Sequence, residues 1–434
     1  MLHRTKKLLF LAITLLIVSI TGCGMTRATR SSYLTSLAPY LEPPSRPVIV
    51  IPGVGVTRLF DPVTRYYVWG TARNVLHTRY AEDLDLPIDP QTLLPVRDRL
   101  VPRGYVGSRS PINIGWRLSS ALVRYGQYHD KPTTAGKPTV YSLVYDFRLS
   151  STESAKSLDA LIEKIRREHG DPALKVDLIA HSAGGLVALT YLKIGTAPVE
   201  EPTTWAEGSR RAAAKIGRTV LIATPQAGTA DMLRLLHRPE RFVLRLIPQE
   251  MISTFPSMLE MLPEDGHFLL DEKGHSIDAD LWKAEDWKRL ELGLFIPAVA
   301  SRIRREISPE RYDLLVRSFG RSLDRARALR DALRRPLPES VVVENVAGDC
   351  VPTAHHALRR KDGTLAFYRG ELRASEEHLI DRMVESGDGS VTVSSATGGN
   401  QQRSALFCDG HQALASDPHV HRAMIRVLRG AGPS

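Results

Sequence analysis

The stretch Lys175-Val-Asp-Leu-Ile-Ala-His-Ser-Ala-Gly-Gly-Leu186 constrains this chain more than any other. An apolar run leads into a tight turn and then a helical segment, with Ser182 at the turn. A serine hydroxyl is a weak nucleophile at its ordinary pKa, so a chain that uses one must lift it clear of the backbone and supply a base. A strand-to-helix elbow does the lifting, and the small residues Ala180, Ala183 and Gly184 let the turn close. The helix expected from Gly185 through Leu192 would aim its N-terminus at negative charge forming beside Ser182. Ala180 stands where such an elbow usually has its first glycine, so the pentapeptide alone leaves ordinary loop chemistry open. The surrounding elements carry the argument.

Pro47-Val-Ile-Val-Ile51 is a continuous β-branched run, as expected of a strand buried on both faces, and it ends in Pro52-Gly53-Val54-Gly55. Residues Trp116 to Tyr125 read as a short helix and Val140 to Tyr145 as a strand. Leu158, Leu161, Ile162 and Ile165 fall on one helical face closed by Gly170, and Arg218 to Thr224 form a further buried strand. Strands alternating with helices in this way predict the α/β class, a mostly parallel central sheet covered on both faces. Ligands of such sheets bind at the carboxyl ends of the strands, where Val54, Ser182 and Thr224 would lie. Between about 56 and 110 the chain makes an excursion above the sheet. Between about 231 and 300 its pattern changes to turns and large apolar residues, Phe255, Met258, Met261, Phe268, Trp282 and Trp287 among them, which predicts an inserted cap. Flexible apolar side chains above Ser182 would suit an aliphatic chain, although most of them are expected to form the cap's own core.

Two aspartates compete to orient a base. Asp349 follows the strand Val341 to Ala347, and Asp388 sits in the tight turn Gly387-Asp-Gly-Ser-Val391. His411, after Gly410 and before the helical stretch Pro418 to Leu428, is the candidate base, which preserves the order Ser, Asp, His. His355 and His356 lie near Cys350 but show no second metal-ligand spacing. His419 and His421 are expected on the surface of the last helix, and the arginines from Arg321 to Arg335 on a solvated helix face alternating with Asp324 and Asp331.

The N-terminus reads as an address rather than as fold. His3, Arg4, Lys6 and Lys7 precede the apolar run Leu8 to Ile20, which is too short to span a bilayer and right for a signal peptide. Ile20-Thr21-Gly22-Cys23 resembles the lipobox of bacterial lipoproteins, which implies cleavage after residue 22 and a lipid on Cys23. Gly24, not being aspartate, implies the outer membrane of a bacterial envelope. Residues 23–46 would be the tether and 47–434 the folded domain. Loss of residues 1–22 removes Arg4, Lys6 and Lys7 and no acids, lowering the formal charge from +10 to +7. In an exported chain Cys350 and Cys408 can pair.

Pro47 to Gly53, Trp69, Tyr145-Asp-Phe-Arg-Leu149, Ala180-His-Ser-Ala-Gly-Gly185, Thr224-Pro-Gln-Ala-Gly228, Phe255 to Pro263, Val351-Pro-Thr353, Gly387 to Val391 and His411 occur in that order. Together they resemble the lecithin:cholesterol acyltransferase family, including its lysosomal phospholipase A2-like members, over nearly all of the chain after the tether. The resemblance implies an α/β-hydrolase fold, Ser182 as nucleophile, Asp388 rather than Asp349 as the acid, and His411 as the base. In such folds the backbone N–H groups of Val54 and Ala183 are the candidates to hold an oxyanion. Phe147 stands where the family usually has Trp, Ala183 where it has Met or Leu, and Val54 where acidic, aromatic or cysteine residues occur. Substrate choice is therefore the part least fixed. The implied activity is transfer of an acyl group from a membrane phospholipid through an acyl-serine to water or a lipid alcohol. It requires no metal or organic cofactor, and nucleic acid is not among the expected partners. Neutral glycerides or short carboxyl esters are the alternative substrates, and a non-catalytic envelope lipoprotein that binds lipid or a partner is the alternative class.

Overall fold

The computed structural model describes residues 43–71, 84–107, 112–130, 138–242, 245–264, 266–399 and 403–430. The expected signal segment, Cys23 and most of the tether lie outside these residues. Six strands form the central sheet: β1 (Val48–Ile51), β2 (Val140–Ser142), β3 (Val176–His181), β4 (Ile216–Ile222), β5 (Val342–Gly348) and β6 (Ser404–Phe407). Their spatial order is β6-β5-β4-β3-β1-β2, and every neighbouring pair is parallel. Parallel strands need crossovers, which put helices on the sheet faces and bury the strands on both sides. Accordingly β1 and β3 are buried along their whole length.

The main helices are α1 (Ile114–Tyr125), α2 (Ser151–His169), α3 (Ala183–Ile194), α4 (Ala230–His237), α5 (Pro309–Leu333) and α6 (Pro418–Leu428). α1 packs with α6, and α3 packs with α2 and α5. The amphipathic reading of α2 holds: Leu158, Ile162 and Ile165 are buried, the Ser150 side chain accepts from Thr152 N–H, and Gly170 ends the helix in the left-handed conformation. From β1 the chain proceeds outward to β2, then returns to β3 and proceeds the other way through β4, β5 and β6. The crevice between the carboxyl ends of β1 and β3 is thus the topological switch point of the sheet, and Pro52–Gly55 and Ser182 both emerge there.

Several expectations change. β2 stops at Ser142 instead of reaching Tyr145, and the residues that follow it lead into a buried ion network around Arg148. Arg148, fully buried, donates to Asp146 at 2.7 Å, to Asp98 at 2.8 Å and to the Leu84 carbonyl at 2.9 Å. Residues 57–105 contain a three-stranded antiparallel sheet of Thr57–Asp61, Tyr66–Trp69 and Val101–Tyr105. Phe255, Met258, Met261, Phe268, Trp282 and Trp287 are packed within the main hydrophobic core, so these side chains fill space rather than offer a free surface. The expectation that all arginines from Arg321 to Arg335 are solvated is wrong for Arg330, which is buried beside Glu264. His421 is likewise buried, its Nε2 hydrogen-bonded to the Ala415 carbonyl at 2.9 Å, while His419 is exposed. Among the described residues no helix is long and apolar enough to cross a membrane.

The start of α3 lies against the end of β1. A Cβ on Gly184 would meet the Ile51 carbonyl oxygen at 2.4 Å and that of Pro52 at 2.6 Å. Backbone cannot retreat as a flexible side chain can, so Gly184→Ala is expected to lower the unfolding free energy by about 1–3 kcal/mol in urea titration. Unchanged stability would contradict this contact. Two of the buried histidines also couple folding to pH. Burial pushes His181 down to about 3 and His237 down to about 4 from 6.5. Both are neutral in the folded chain, whereas below pH 6.5 the unfolded chain binds a proton at each. Stability therefore falls as the pH drops. Each contributes a slope of up to about 1.4 kcal/mol per pH unit between about pH 6 and pH 4. His237→Gln should flatten the urea-derived slope over that window, and an unaltered slope would show that His237 does not titrate on unfolding.

Candidate active site

Ser182 terminates β3 and begins α3 with φ 55° and ψ −130°, a conformation that costs an L-residue about 1–3 kcal/mol unless its surroundings enforce it. Its N–H donates to the Ile222 carbonyl at 2.9 Å, and its carbonyl accepts from Gly185 N–H at 2.9 Å. The Pro52–Gly55 turn presses on it from β1: a Cβ on Gly53 would lie 2.9 Å from Ser182 Cβ, so only glycine fits. Two long-range hydrogen bonds hold that turn. Tyr145 donates from its hydroxyl to the Pro52 carbonyl at 2.6 Å, and Trp69 donates from Nε1 to the Gly55 carbonyl at 2.7 Å. The Trp69 and Phe147 rings pack with centroids 5.7 Å apart. The sequence showed Trp69 and Tyr145 as residues of the family pattern, but their partners lie 14 and 93 positions away and nothing local pointed to them.

His411 lies in the loop after β6. Its Nε2 is 3.0 Å from Ser182 Oγ and its Nδ1 is 2.8 Å from Asp388 Oδ2. A carboxylate can only accept, so Nδ1 carries the proton and Nε2 is the bare nitrogen that can receive one from Ser182. Asp388 closes its own turn: Oδ1 accepts from Ser390 N–H at 2.9 Å and Val391 N–H at 2.7 Å. Thr353, on the strand Val351–Ala354, accepts from Gly389 N–H at 2.8 Å. Burial drives the Asp388 carboxyl up, but the facing His411 ring and the Val391 and Ser390 N–H groups outweigh it and hold it below its ordinary value. Asp388 thus stays ionised.

Asp349 stands elsewhere, its backbone N–H donating to the Phe407 carbonyl at 3.1 Å, and among the described residues it makes no hydrogen bond to His411. Cys350 and Cys408 form a disulfide with Cα atoms 5.0 Å apart, joining the loop after β5 to the loop that carries His411. His355 sits 3.6 Å from Glu385, and among the described residues no three His, Cys, Asp or Glu side chains converge as metal ligands would. The Val54 and Ala183 N–H groups flank the Ser182 elbow, and among the described residues neither has a backbone acceptor. The sequence reading passed over His181 as a bare motif letter. Its ring is 99% buried and reaches the main chain of His411.

A hydroxyl hydrogen-bonded to a bare imidazole nitrogen, an ionised carboxylate behind that imidazole and two N–H groups at the elbow can together perform nucleophilic attack on an ester carbonyl. Residues 130–293 match the family described as Lecithin:cholesterol acyltransferase. Among solved structures, the Tle4-Tli4 complex contains a chain with 16% identity and a TM-score of 0.54, the match covering 89% of this chain and 97% of that one. Lipase 1 from Pelosinus fermentans matches at 14% identity and a TM-score of 0.36, covering 89% of this chain and 99% of the other. A comparison with curated proteins finds no match. The resemblance read from the ordered motifs is borne out: the chain has the α/β-hydrolase fold, and its residues 130–293 match the lecithin:cholesterol acyltransferase family.

Proposed function

We propose that the protein is a serine-dependent lipid ester hydrolase or acyltransferase, phospholipase A-like, that works through an acyl-serine at an envelope membrane. The observation that carries the reading is the unbroken chain from Ser182 Oγ to His411 Nε2 at 3.0 Å and from His411 Nδ1 to Asp388 at 2.8 Å, at the switch point of the sheet. The family match over residues 130–293 supports lipid esters as the substrate class.

Ser182 Oγ attacks the ester carbonyl as His411 Nε2 takes its proton. The carbonyl oxygen gains the negative charge, and the Val54 and Ala183 N–H groups receive it. Asp388, ionised and fixed by its own turn, stabilises the imidazolium and holds its tautomer. The imidazolium then protonates the leaving alcohol as the tetrahedral species collapses to acyl-serine. Water or a second alcohol, deprotonated by His411, attacks the acyl-serine and releases Ser182. The lipid on Cys23 would keep the domain at its substrate surface.

The test incubates the full chain with phospholipid vesicles containing a long-chain alcohol, beside Ser182→Ala, and resolves the products by mass spectrometry. Serine-dependent fatty acid and lysolipid are expected, and acylated alcohol would add transfer to hydrolysis. No serine-dependent product from phospholipid, glyceride or short esters would leave a lipid-binding role instead. Asp388→Asn should lower turnover by about 10³–10⁴-fold, with Asp349→Asn far less affected. The reverse ranking would overturn the assignment of the acid. Mass spectrometry of the membrane form should find a lipid on Cys23, and an anchor that persists in Cys23→Ala would refute the lipobox reading.

A further inference from the structure

We infer that His181 is a positioning residue that holds the main chain of His411 so that its ring bridges Ser182 and Asp388. The inference rests on the serine mechanism proposed above.

His411 belongs to a loop, yet both of its backbone polar groups are tied. Its N–H donates to the carbonyl of Asp388 at 2.9 Å, and its carbonyl accepts from His181 Nε2 at 3.0 Å. The base is therefore held by the backbone of its own acid and by the side chain next to the nucleophile. His181 is the last residue of β3, 1% exposed, and its ring lies 4.9 Å from that of His411 between centroids.

The protonation state of His181 follows from its partner. A carbonyl only accepts, so Nε2 bears the proton. Burial first, and the neighbouring His411 second, push the ring down to about 3, so it stays neutral and Nδ1 is a bare acceptor. Among the described residues that Nδ1 is buried without a partner. A core position filled for packing alone would be better served by an apolar side chain, which leaves no acceptor orphaned. What the imidazole provides, and an apolar group of the same size cannot, is a rigid N–H aimed at the His411 carbonyl. Loss of that bond would let the loop shift, and a displacement of about 1 Å at a reacting group costs about 100-fold in rate.

Three substitutions separate positioning from packing. The amide nitrogen of Gln reaches about as far as imidazole Nε2, that of Asn only as far as Nδ1, and Leu has no donor. The full-length protein and these variants are treated with a fluorophosphonate probe, and labelling of Ser182 is followed against probe concentration, with thermal unfolding as the check on folding. His181→Leu and His181→Asn should lower the saturating labelling rate by about 100-fold with little change in the half-saturating concentration. His181→Gln should recover at least about tenfold of that loss. Equal rates for Gln and Asn, or a wild-type rate for Leu, would overturn the inference while leaving the serine mechanism intact. A wild-type protein that folds but is not labelled would overturn the mechanism and this inference with it. Should Leu fail to fold, the comparison of Gln with Asn decides.

Discussion

Ser182 can occupy its left-handed backbone conformation only because three parts of the sheet oppose its relaxation. β4 accepts its N–H through Ile222, the turn after β1 abuts its side chain through Gly53, and α3 is wedged against the carbonyls of Ile51 and Pro52 through Gly184. The strain is local and the restraint is spread over three strands, so the hydroxyl stands proud of the backbone without being mobile. The spacing of strands β1, β3 and β4, fixed by parallel hydrogen bonding, sets the position of this one oxygen.

The groups that face Ser182 come from loops, and each loop is tied to something rigid. The Asp388 turn is closed by its own carboxylate and by Thr353. The loop of His411 is joined by the disulfide to the chain leaving β5, by its N–H to Asp388, and by its carbonyl to the end of β3. The turn that carries Val54 is held by hydrogen bonds from the side chains of Trp69 and Tyr145. Loops are ordinarily the least constrained parts of a protein, and here the constraint arrives through side chains, a disulfide and main-chain bonding, including the antiparallel pairing of Val351–Ala354 with Val384–Gly387 beside Asp388.

Much of this was legible in the sequence because parallel strands buried on both faces read as continuous apolar runs. Pro47 to Ile51 and Val176 to His181 declare themselves without reference to any partner. The elbow was legible only in context: a serine among small residues also occurs in ordinary loops, and the buried strands and helices around it decided the reading. Asp388 could not be separated from Asp349 by spacing alone; only the family pattern chose, since both lie in polar turns ahead of His411. What stayed hidden depended on distant contacts. Arg330 sits on an arginine-rich helix and is buried only because Glu264, 66 residues earlier, meets it. Arg148 likewise finds Asp98 50 residues earlier, whereas the carbonyl that meets the buried His421 belongs to Ala415, only six residues away.

The partners at the centre of the molecule are far apart along the chain: Ser182 and His411 are separated by 229 positions, and Cys350 is joined to Cys408 over 58. Contacts of such range form late, after the entropy of closing large loops has been overcome. A partly folded chain, even one with β1, β3, β4 and α3 already packed, therefore has a raised serine with no base beside it. Ser182 and the imidazole that faces it would meet only when the last strand, β6, is laid against β5.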